Sequence, residues 1–297
     1  MKVLNFGALN YDYVYEVPYI VHPGETLSAS FMQRFLGGKG FNQSIALRRA
    51  GIPVFHAGAV GPDGDFLLEA LCENDVDTQY ITRGEVPTGQ AIIQLSTEGQ
   101  NAIILFGGSN RRITSEQIDN TLRRFSKGDM ILLQNEINHI DYIINQAYNK
   151  GLYICLNPSP YDSTLLDGLG KVSLLFVNEI EGMQITAEKE PDLILKQLSE
   201  RYPNMGVVLT LGQEGAIYKK GNVSYRHGAY NVPVVDTTAA GDTFTGHFIG
   251  AMLRHKSISE ALELASKASA LSISTKGAYP SIPTLEKVEC SKLKFRN

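Results

Sequence analysis

The 297-residue chain predicts an α/β fold: a central, mostly parallel sheet with helices on both faces, plus a small separate β sheet. Three observations carry that expectation. From about residue 110, short apolar runs alternate with amphipathic stretches long enough for helices, the rhythm of parallel crossover units whose strands are buried on both faces. Two β-rich, turn-broken stretches, about 11–35 and 88–108, carry no helical stripe. No internal repeat or low-complexity linker interrupts the chain, and its length admits one large α/β unit or two of ordinary size.

Val3 to Leu9 is an apolar run closed by Asn10, read as a first buried strand whose C-terminal end opens onto a site. Tyr11 to Phe35 carries Tyr13, Val14, Tyr15 and Val17 and is broken by Pro18, Pro23 and Gly24. Gly37, Gly38 and Gly40 then lead into a helix through Ala46, Leu47 and Ala50. Within Thr88 to Phe106, the runs Ala91–Leu95 and Ala102–Phe106 flank the polar turn Ser96–Asn101 and read as a hairpin. The two β-rich pieces are expected to form a sheet projecting from the body. Beyond them, Thr114–Phe125 and Ile140–Asn149 read as helices, and Met130–Leu133, Tyr153–Leu156 and Val207–Leu211 as strands. Leu174–Val177 reads as a strand entering a helix at Asn178, and Phe244, Phe248 and Met252 fall at helical spacing. Cys290 to Asn297 reads as a basic, solvated tail. In such sheets ligands bind beyond the carboxyl ends of the strands, which points to Asn10, Gln134 to Glu136, Asn157, Asn178, Thr210 and Gly212.

Composition removes several classes of function. With 27 Lys and Arg against 31 Asp and Glu the formal net charge is −4, so the clustered cationic excess of a general nucleic-acid binder is missing. Cys72, Cys155 and Cys290 are odd in number and far apart, which suggests neither a disulfide framework nor a zinc site and fits a reducing cytoplasm. The N-terminal apolar run is too short for a signal peptide, and no stretch approaches the ~18 apolar residues of a membrane span. The six histidines show no H-E-x-x-H and no i,i+4 pairing, against a histidine-built metal site. Gly38-Lys39 is followed by Gly40 rather than Ser or Thr, so no Walker A loop is present. The absence of G-x-G-x-x-G and G-x-S-x-G weakens the cases for a nicotinamide dehydrogenase and an α/β hydrolase.

Two segments carry chemistry. Asp236-Thr237-Thr238-Ala239-Ala240-Gly241-Asp242-Thr243-Phe244-Thr245-Gly246 is a run of small residues entering a helix. First-turn N–H groups crowded by no side chain make an anion cradle, reinforced by the helix dipole. Asp242 would stand within reach of whatever approaches that anion, or would merely complement the dipole. Leu36-Gly37-Gly38-Lys39-Gly40-Phe41-Asn42-Gln43 permits close backbone approach to a ligand, with donors at Lys39 and Asn42, or simply turns the chain into a helix.

Together these blocks resemble the paired signatures of the ribokinase family of carbohydrate kinases (PfkB type), G-G-K-G-x-N-Q and D-T-x-A-A-G-D-T-F-x-G. The resemblance extends over nearly the whole chain. Between and around the blocks stand Asn10-x-Asp12, Pro23-Gly24-Glu25-Thr26, Thr88-Gly89, Gln134-x-Glu136, Asn157-Pro158, Asn178-Glu179-x-Glu181, Thr210-Leu211-Gly212 and Lys276-Gly277-Ala278-x-Pro280-Ser281. It implies a single ribokinase-like kinase domain over residues 1–297, with a lid from about 11–35 and 88–108. It further implies Asp242 as the base that deprotonates a sugar hydroxyl attacking the γ-phosphorus of ATP, and the N–H groups of Ala239, Ala240, Gly241 and Asp242 as the anion hole. Asn10, Asp12, Gly38, Lys39, Asn42 and Glu136, with Asp242, match sugar-holding positions. Asn178 and Glu181 match a motif that organises Mg²⁺ through water, although Asn followed three residues on by Glu is also a helix-capping pattern. Thr210 and Gly212, with Asn178, match nucleotide positions. Asp236, Thr238, Ser272, Thr275, Gly277 and Ser281 align with loops that hold a monovalent cation, commonly K⁺, several of them through backbone carbonyls.

The activity implied is ATP-dependent phosphorylation of a primary sugar hydroxyl, D-ribose at O5 being the first expectation. A kinase for fructose, deoxyribose or a nucleoside is the rival within the class, and a non-catalytic sugar or nucleotide sensor is the rival outside it. A cytoplasmic homodimer through the lid, with no nucleic-acid or membrane partner, is implied as well. His247 departs from the small residue usual after Gly246 and reads as a packed core histidine. Arg111-Arg112 and Arg123-Arg124 read as solvated faces. Asn135, between Gln134 and Glu136, has no reading for specificity.

Overall fold

The computed structural model describes residues 1–296. Seven parallel strands make most of the main sheet: β1 (Val3–Phe6), β4 (Phe55–Val60), β5 (Asp77–Arg83), β8 (Met130–Gln134), β9 (Tyr153–Asn157), β10 (Leu174–Asn178) and β11 (Gly206–Thr210). An antiparallel hairpin, β12 (Ala216–Lys220) and β13 (Val223–His227), extends one edge, giving the order β13-β12-β11-β10-β9-β8-β1-β4-β5. A second sheet has the order β3-β2-β6-β7, from β2 (Asn10–Val17), β3 (Phe31–Gly37), β6 (Gly89–Ser96) and β7 (Asn101–Phe106). The expected hairpin is β6 and β7.

Alternation along the central strands explains why they read as unbroken apolar runs. Ile131, Leu133, Ile154, Leu156, Leu175, Val177, Val207 and Leu209 join one buried cluster, and Met130, Leu132, Cys155, Leu174, Phe176 and Val208 the other. Side chains two apart share a face, so both faces demand cover. The first is covered by α3 (Ser115–Leu122), α4 (Ile140–Asn149), α5 (Glu179–Thr186) and α6 (Pro191–Arg201). The second is covered by α1 (Lys39–Arg49), α2 (Asp65–Glu73), α7 (Ala240–Leu253) and α8 (Ile258–Ile273), and a short α9 (Leu285–Cys290) follows. No helix among the described residues is long and apolar enough to cross a membrane.

One helix contact positions the site. A Cβ on Gly246 would stand 2.4 Å from the Ala46 Cβ, and one on Gly250 would stand 2.6 Å from the Ala50 Cβ. Only glycine lets α7 approach α1 so closely, and the approach sets the first turn of α7 beside Asn42 and Gln43.

Three expectations need correction. The first strand ends at Phe6, not Leu9: the Gly7 N–H makes the last bond to β4, to the Ala57 carbonyl at 3.0 Å, Gly7 packs closely on Gly40 and the Gln134 side chain, and Asn10 opens the second sheet. The C-terminal residues are largely exposed, as expected of a solvated tail, but they are not free. Phe295 pairs with Tyr230 in a β bridge and stacks on its ring at 4.9 Å, and the Arg296 N–H donates to the Ala229 carbonyl; Asn297 lies outside the described residues. The strand expected over Val207–Leu211 is shifted by one residue, because the Leu211 N–H turns to the Gly215 carbonyl. His247 is a core residue, its Nε2 donating to the Pro283 carbonyl at 3.1 Å, and burial pulls its pKa down to about 4.

Candidate active site

Three pockets meet at the N-terminus of α7. The largest, about 800 Å³, lies between the two sheets and is lined by Asn10, Asp12, Gly38, Lys39, Asn42, Glu136 and Asp242. All the residues matched to a sugar are therefore brought together. A second pocket of about 310 Å³ is lined by Thr210, Gly212, Phe244, Ser266, Ala270 and Arg296 among others, and a third of about 230 Å³ holds Asn157, Asn178, Glu181, Thr210 and Lys39. Ala239 and Asp242 face the first and third, Ala240 and Gly241 the second and third, and Thr237 all three.

The junction is built by local backbone chemistry. Ala239 adopts φ +61° before the helix, which turns the chain so that the N–H groups of Gly241 and Asp242 precede the first intrahelical bond, from Thr243 to the Ala239 carbonyl. Of the four N–H groups expected to form the cradle, that of Ala240 bends back to the Thr237 carbonyl at 3.3 Å, while those of Ala239, Gly241 and Asp242 make no hydrogen bond among the described residues. A Cβ on Gly241 would meet no protein atom within 4 Å, so glycine is not required by packing there and keeps pocket space open. At Gly38, φ is +92° and a Cβ would stand 2.9 Å from the Ala8 carbonyl oxygen, so glycine is required.

Asp242 is buried, accepting from Asn42 Nδ2 at 3.1 Å and from Gln43 Nε2 at 2.8 Å. Asn42 Oδ1 is buried without a protein partner, leaving it for a ligand's hydroxyl. Asn10 Oδ1 accepts from Asn110 Nδ2 at 2.7 Å, and Glu136 Oε2 accepts the Lys39 N–H at 2.8 Å, which ties the turn after β8 to the start of α1. Burial, followed by the charges of Glu136 and Asp242, pushes the Asp12 carboxyl up to about 7. Burial likewise raises Glu136, against the opposing Lys39 charge. For Lys39 burial acts downward, but Asp242, Glu136 and Glu181 together outweigh it and leave the ammonium raised.

Asn178 and Glu181 form a complete capping box on α5: Asn178 Oδ1 accepts the Glu181 N–H at 2.9 Å, and Glu181 Oε2 accepts the Asn178 N–H at 3.1 Å. One Glu181 oxygen is thereby used, while the side chain lines the third pocket. Asp236 joins two loops, accepting from Thr238 through Oδ1 and from the Gly277 N–H at 2.9 Å through Oδ2. The Ser272 and Ser281 hydroxyls pair with each other at 2.7 Å behind those loops, and Thr275 is exposed. Asn157, expected at the site from its place at a strand end, accepts from Gln43, and Gln43, which the sequence shows only as part of a motif, donates to Asp242.

Residues 1–285 match the family model described as pfkB family carbohydrate kinase. The ribokinase of Staphylococcus aureus is 35% identical, over 97% of this chain and 98% of its own length. The ribokinase of Haemophilus influenzae is 32% identical, over 94% of each. Among solved structures, Arabidopsis thaliana ribokinase complexed with ribose and ATP superposes with a TM-score of 0.87 at 29% identity, covering 97% of both chains. Motifs, fold and relatives agree: the chain belongs to the PfkB family of carbohydrate kinases.

Proposed function

We propose that this protein transfers the γ-phosphoryl group of ATP to a primary hydroxyl of a pentose, D-ribose at O5. The observation that carries the reading is the junction of three pockets at Asp242 and the open first turn of α7. The relatives named above, one of them complexed with ribose and ATP, support the substrate assignment.

In this reading Asn10, Asp12, Gly38, Lys39, Asn42 and Glu136 hold the sugar, because vicinal hydroxyls donate to carboxylates and accept from N–H groups. Asp242 takes the hydroxyl proton as the oxygen attacks. The Gly241 and Asp242 N–H groups, with the dipole of α7, bind the charge that builds on the transferring oxygens. Ala239 and Ala240 shape that turn. Lys39 lines both the sugar cleft and the third pocket, and its raised pKa keeps it cationic beside the phosphates. Thr210 and Gly212 line the more apolar pocket that takes the nucleotide, with Asn178 at its phosphate end. The four-stranded sheet acts as a lid that excludes water from the transfer.

No group of three or more His, Cys, Asp or Glu among the described residues forms a protein-built metal cage. Mg²⁺ bound largely by water and substrate phosphates fits the donors present, with Asn178 and the free oxygen of Glu181 nearest. When bound, it would neutralise charge on the phosphates. A monovalent cation such as K⁺ suits the loops joined by Asp236 and Gly277, through backbone carbonyls near Thr238, Ser272, Thr275 and Ser281, since the two serine hydroxyls are already paired. The exposed Phe31, Met32, Ile103, Ile104 and Leu105 on β3 and β7 support a homodimer through the lid, and three free cysteines support a cytoplasmic setting.

Turnover with ATP on a panel of ribose, deoxyribose, fructose and adenosine tests the substrate. Ribose should be preferred; good turnover on another member with none on ribose would reject the assignment. Glu181→Gln should keep the capping box yet raise the Mg²⁺ concentration needed for half-maximal rate by about 10-fold or more, the usual cost of losing an outer-shell carboxylate. An unchanged Mg²⁺ titration would leave Glu181 as a cap alone.

A further inference from the structure

We infer that Gln43 is a positioning residue for the Asp242 carboxylate, its amide held in one sense by Gln134 and Asn157; this rests on Asp242 acting as the base. Gln43 Nε2 stands 2.8 Å from Asp242 Oδ1 and 3.2 Å from Asn157 Oδ1, while its Oε1 accepts from Gln134 Nε2 at 2.6 Å. Turned end for end, the amide would set an oxygen against a carboxylate and an NH₂ against another NH₂.

Backbone carbonyls, which can only accept, decide which way the amides point. The Gly40 carbonyl takes one hydrogen of the Asn5 amide at 2.7 Å, and Ser44 Oγ takes the other at 2.8 Å. Asn5 Oδ1 therefore faces Gln134, 2.9 Å from its Nε2. Gln134 spends both amide hydrogens, one on Asn5 and one on Gln43. From the opposite side, Asn157 Nδ2 donates to the Phe176 carbonyl at 3.1 Å, which leaves Asn157 Oδ1 to accept from Gln43. Two anchors, one on α1 and one on β10, thus impose the same orientation on Gln43. The far end is consistent: the Gly7 carbonyl, 3.3 Å from His56 Nε2, places the proton of the neutral imidazole there, so Nδ1 accepts from the Ser44 hydroxyl at 2.7 Å and Ser44 keeps a lone pair for Asn5.

Asn5, Gln43, Ser44, His56 and Gln134 all have 0% exposure, so water cannot substitute for a lost partner. The network is also not the most stable filling of this space. Gln134 Oε1 is buried with no partner, pressed on Gly7, where a Cβ would stand 2.1 Å away. An unpaired amide oxygen in a core costs stability, so the glutamine is explained by what its nitrogen orients rather than by packing.

Steady-state kinetics of Gln43→Leu, Gln134→Met and the double variant test the inference. Gln43→Leu should lower kcat about 10- to 100-fold with sugar KM within about threefold, the split expected when a reacting group is misaimed but binding groups are intact. Gln134→Met, which does not touch Asp242, should lower kcat less, and the double variant should be no worse than Gln43→Leu, because Gln134 acts through Gln43. Losses that multiply in the double variant, or a Gln43→Leu kcat within twofold of wild type, would overturn the role. Should Gln43→Leu fail to fold, the near-isosteric Gln43→Glu answers the same question. Two carboxylates this close share a proton and titrate as a coupled pair, so the acidic limb of its kcat profile should move at least about one unit from that of wild type; a limb coincident with wild type overturns the proposal. Asp242→Asn run alongside separates the two readings: normal turnover there rejects the base itself, whereas an inactive Asp242→Asn beside normal Gln43 variants rejects only the positioning role.

Discussion

Asp242→Asn should lower kcat by about 10²–10⁴-fold, the span a general base contributes, while sugar binding measured by calorimetry survives. The asymmetry follows from the site. Asn10, Asp12, Gly38, Lys39 and Glu136 line the proposed sugar cleft with no hydrogen bond to the 242 side chain, so most of the hydroxyl-binding surface should remain. Asp242, in contrast, accepts from two amide donors and faces both the first and the third pocket, the proposed seats of sugar and phosphate. An asparagine there can neither take the proton nor accept from both donors through oxygen. A variant retaining turnover within about threefold of wild type would exclude Asp242 as the base.

Lys39→Met is expected to be comparably severe, with kcat down by about 10²–10³-fold, the cost of deleting one charge-stabilising donor at a transferring group. It should also change the pH dependence. In the proposed function ionised Asp12 and Glu136 would accept from sugar hydroxyls, and burial, then the Glu136 and Asp242 charges, push Asp12 up to about 7. In the wild type, sugar affinity should therefore weaken as pH falls through about 7. Burial raises Glu136 and the Lys39 ammonium opposes that rise, so removing the ammonium lets Glu136 hold its proton to higher pH. The loss of affinity in Lys39→Met should begin at higher pH than in wild type. Calorimetric sugar titrations between pH 6 and 9 would show it, and superimposable affinity profiles would argue against the charge coupling.

The two signatures and the sugar residues were readable because each is local: glycines before a helix, or a carboxylate at a strand end. The central strands β8 to β10 were equally plain, since burial on both faces forces an apolar run. β4 was missed because His56 and Gly58 interrupt such a run. The structure explains both, one by the Ser44 hydrogen bond and the other by a Cβ position only 2.6 Å from the Gly7 carbonyl oxygen. The β12–β13 hairpin left a signal that went unread, Gly221-Asn222 between two β-rich runs, with Gly221 at φ +52°. Gln43 is a different case. Its partner Asp242 is 199 residues away, and no local pattern reports a hydrogen bond made across that separation. The terminal segment misled through its lysines and arginines, whereas Phe295 and its contact with Tyr230 decided where it lies.

The glycine-to-alanine seam between α1 and α7 has a dynamic meaning. Helices that slide past one another do so by repacking long side chains at their interface, and here backbone meets methyl with no such slack. Asn42 and Gln43 on one helix and Asp242 on the other must therefore travel as a single rigid body. On the proposed mechanism, any opening and closing during turnover would fall to the four-stranded sheet, and the alignment of Asp242 would be completed when the chain folds rather than each time substrate arrives.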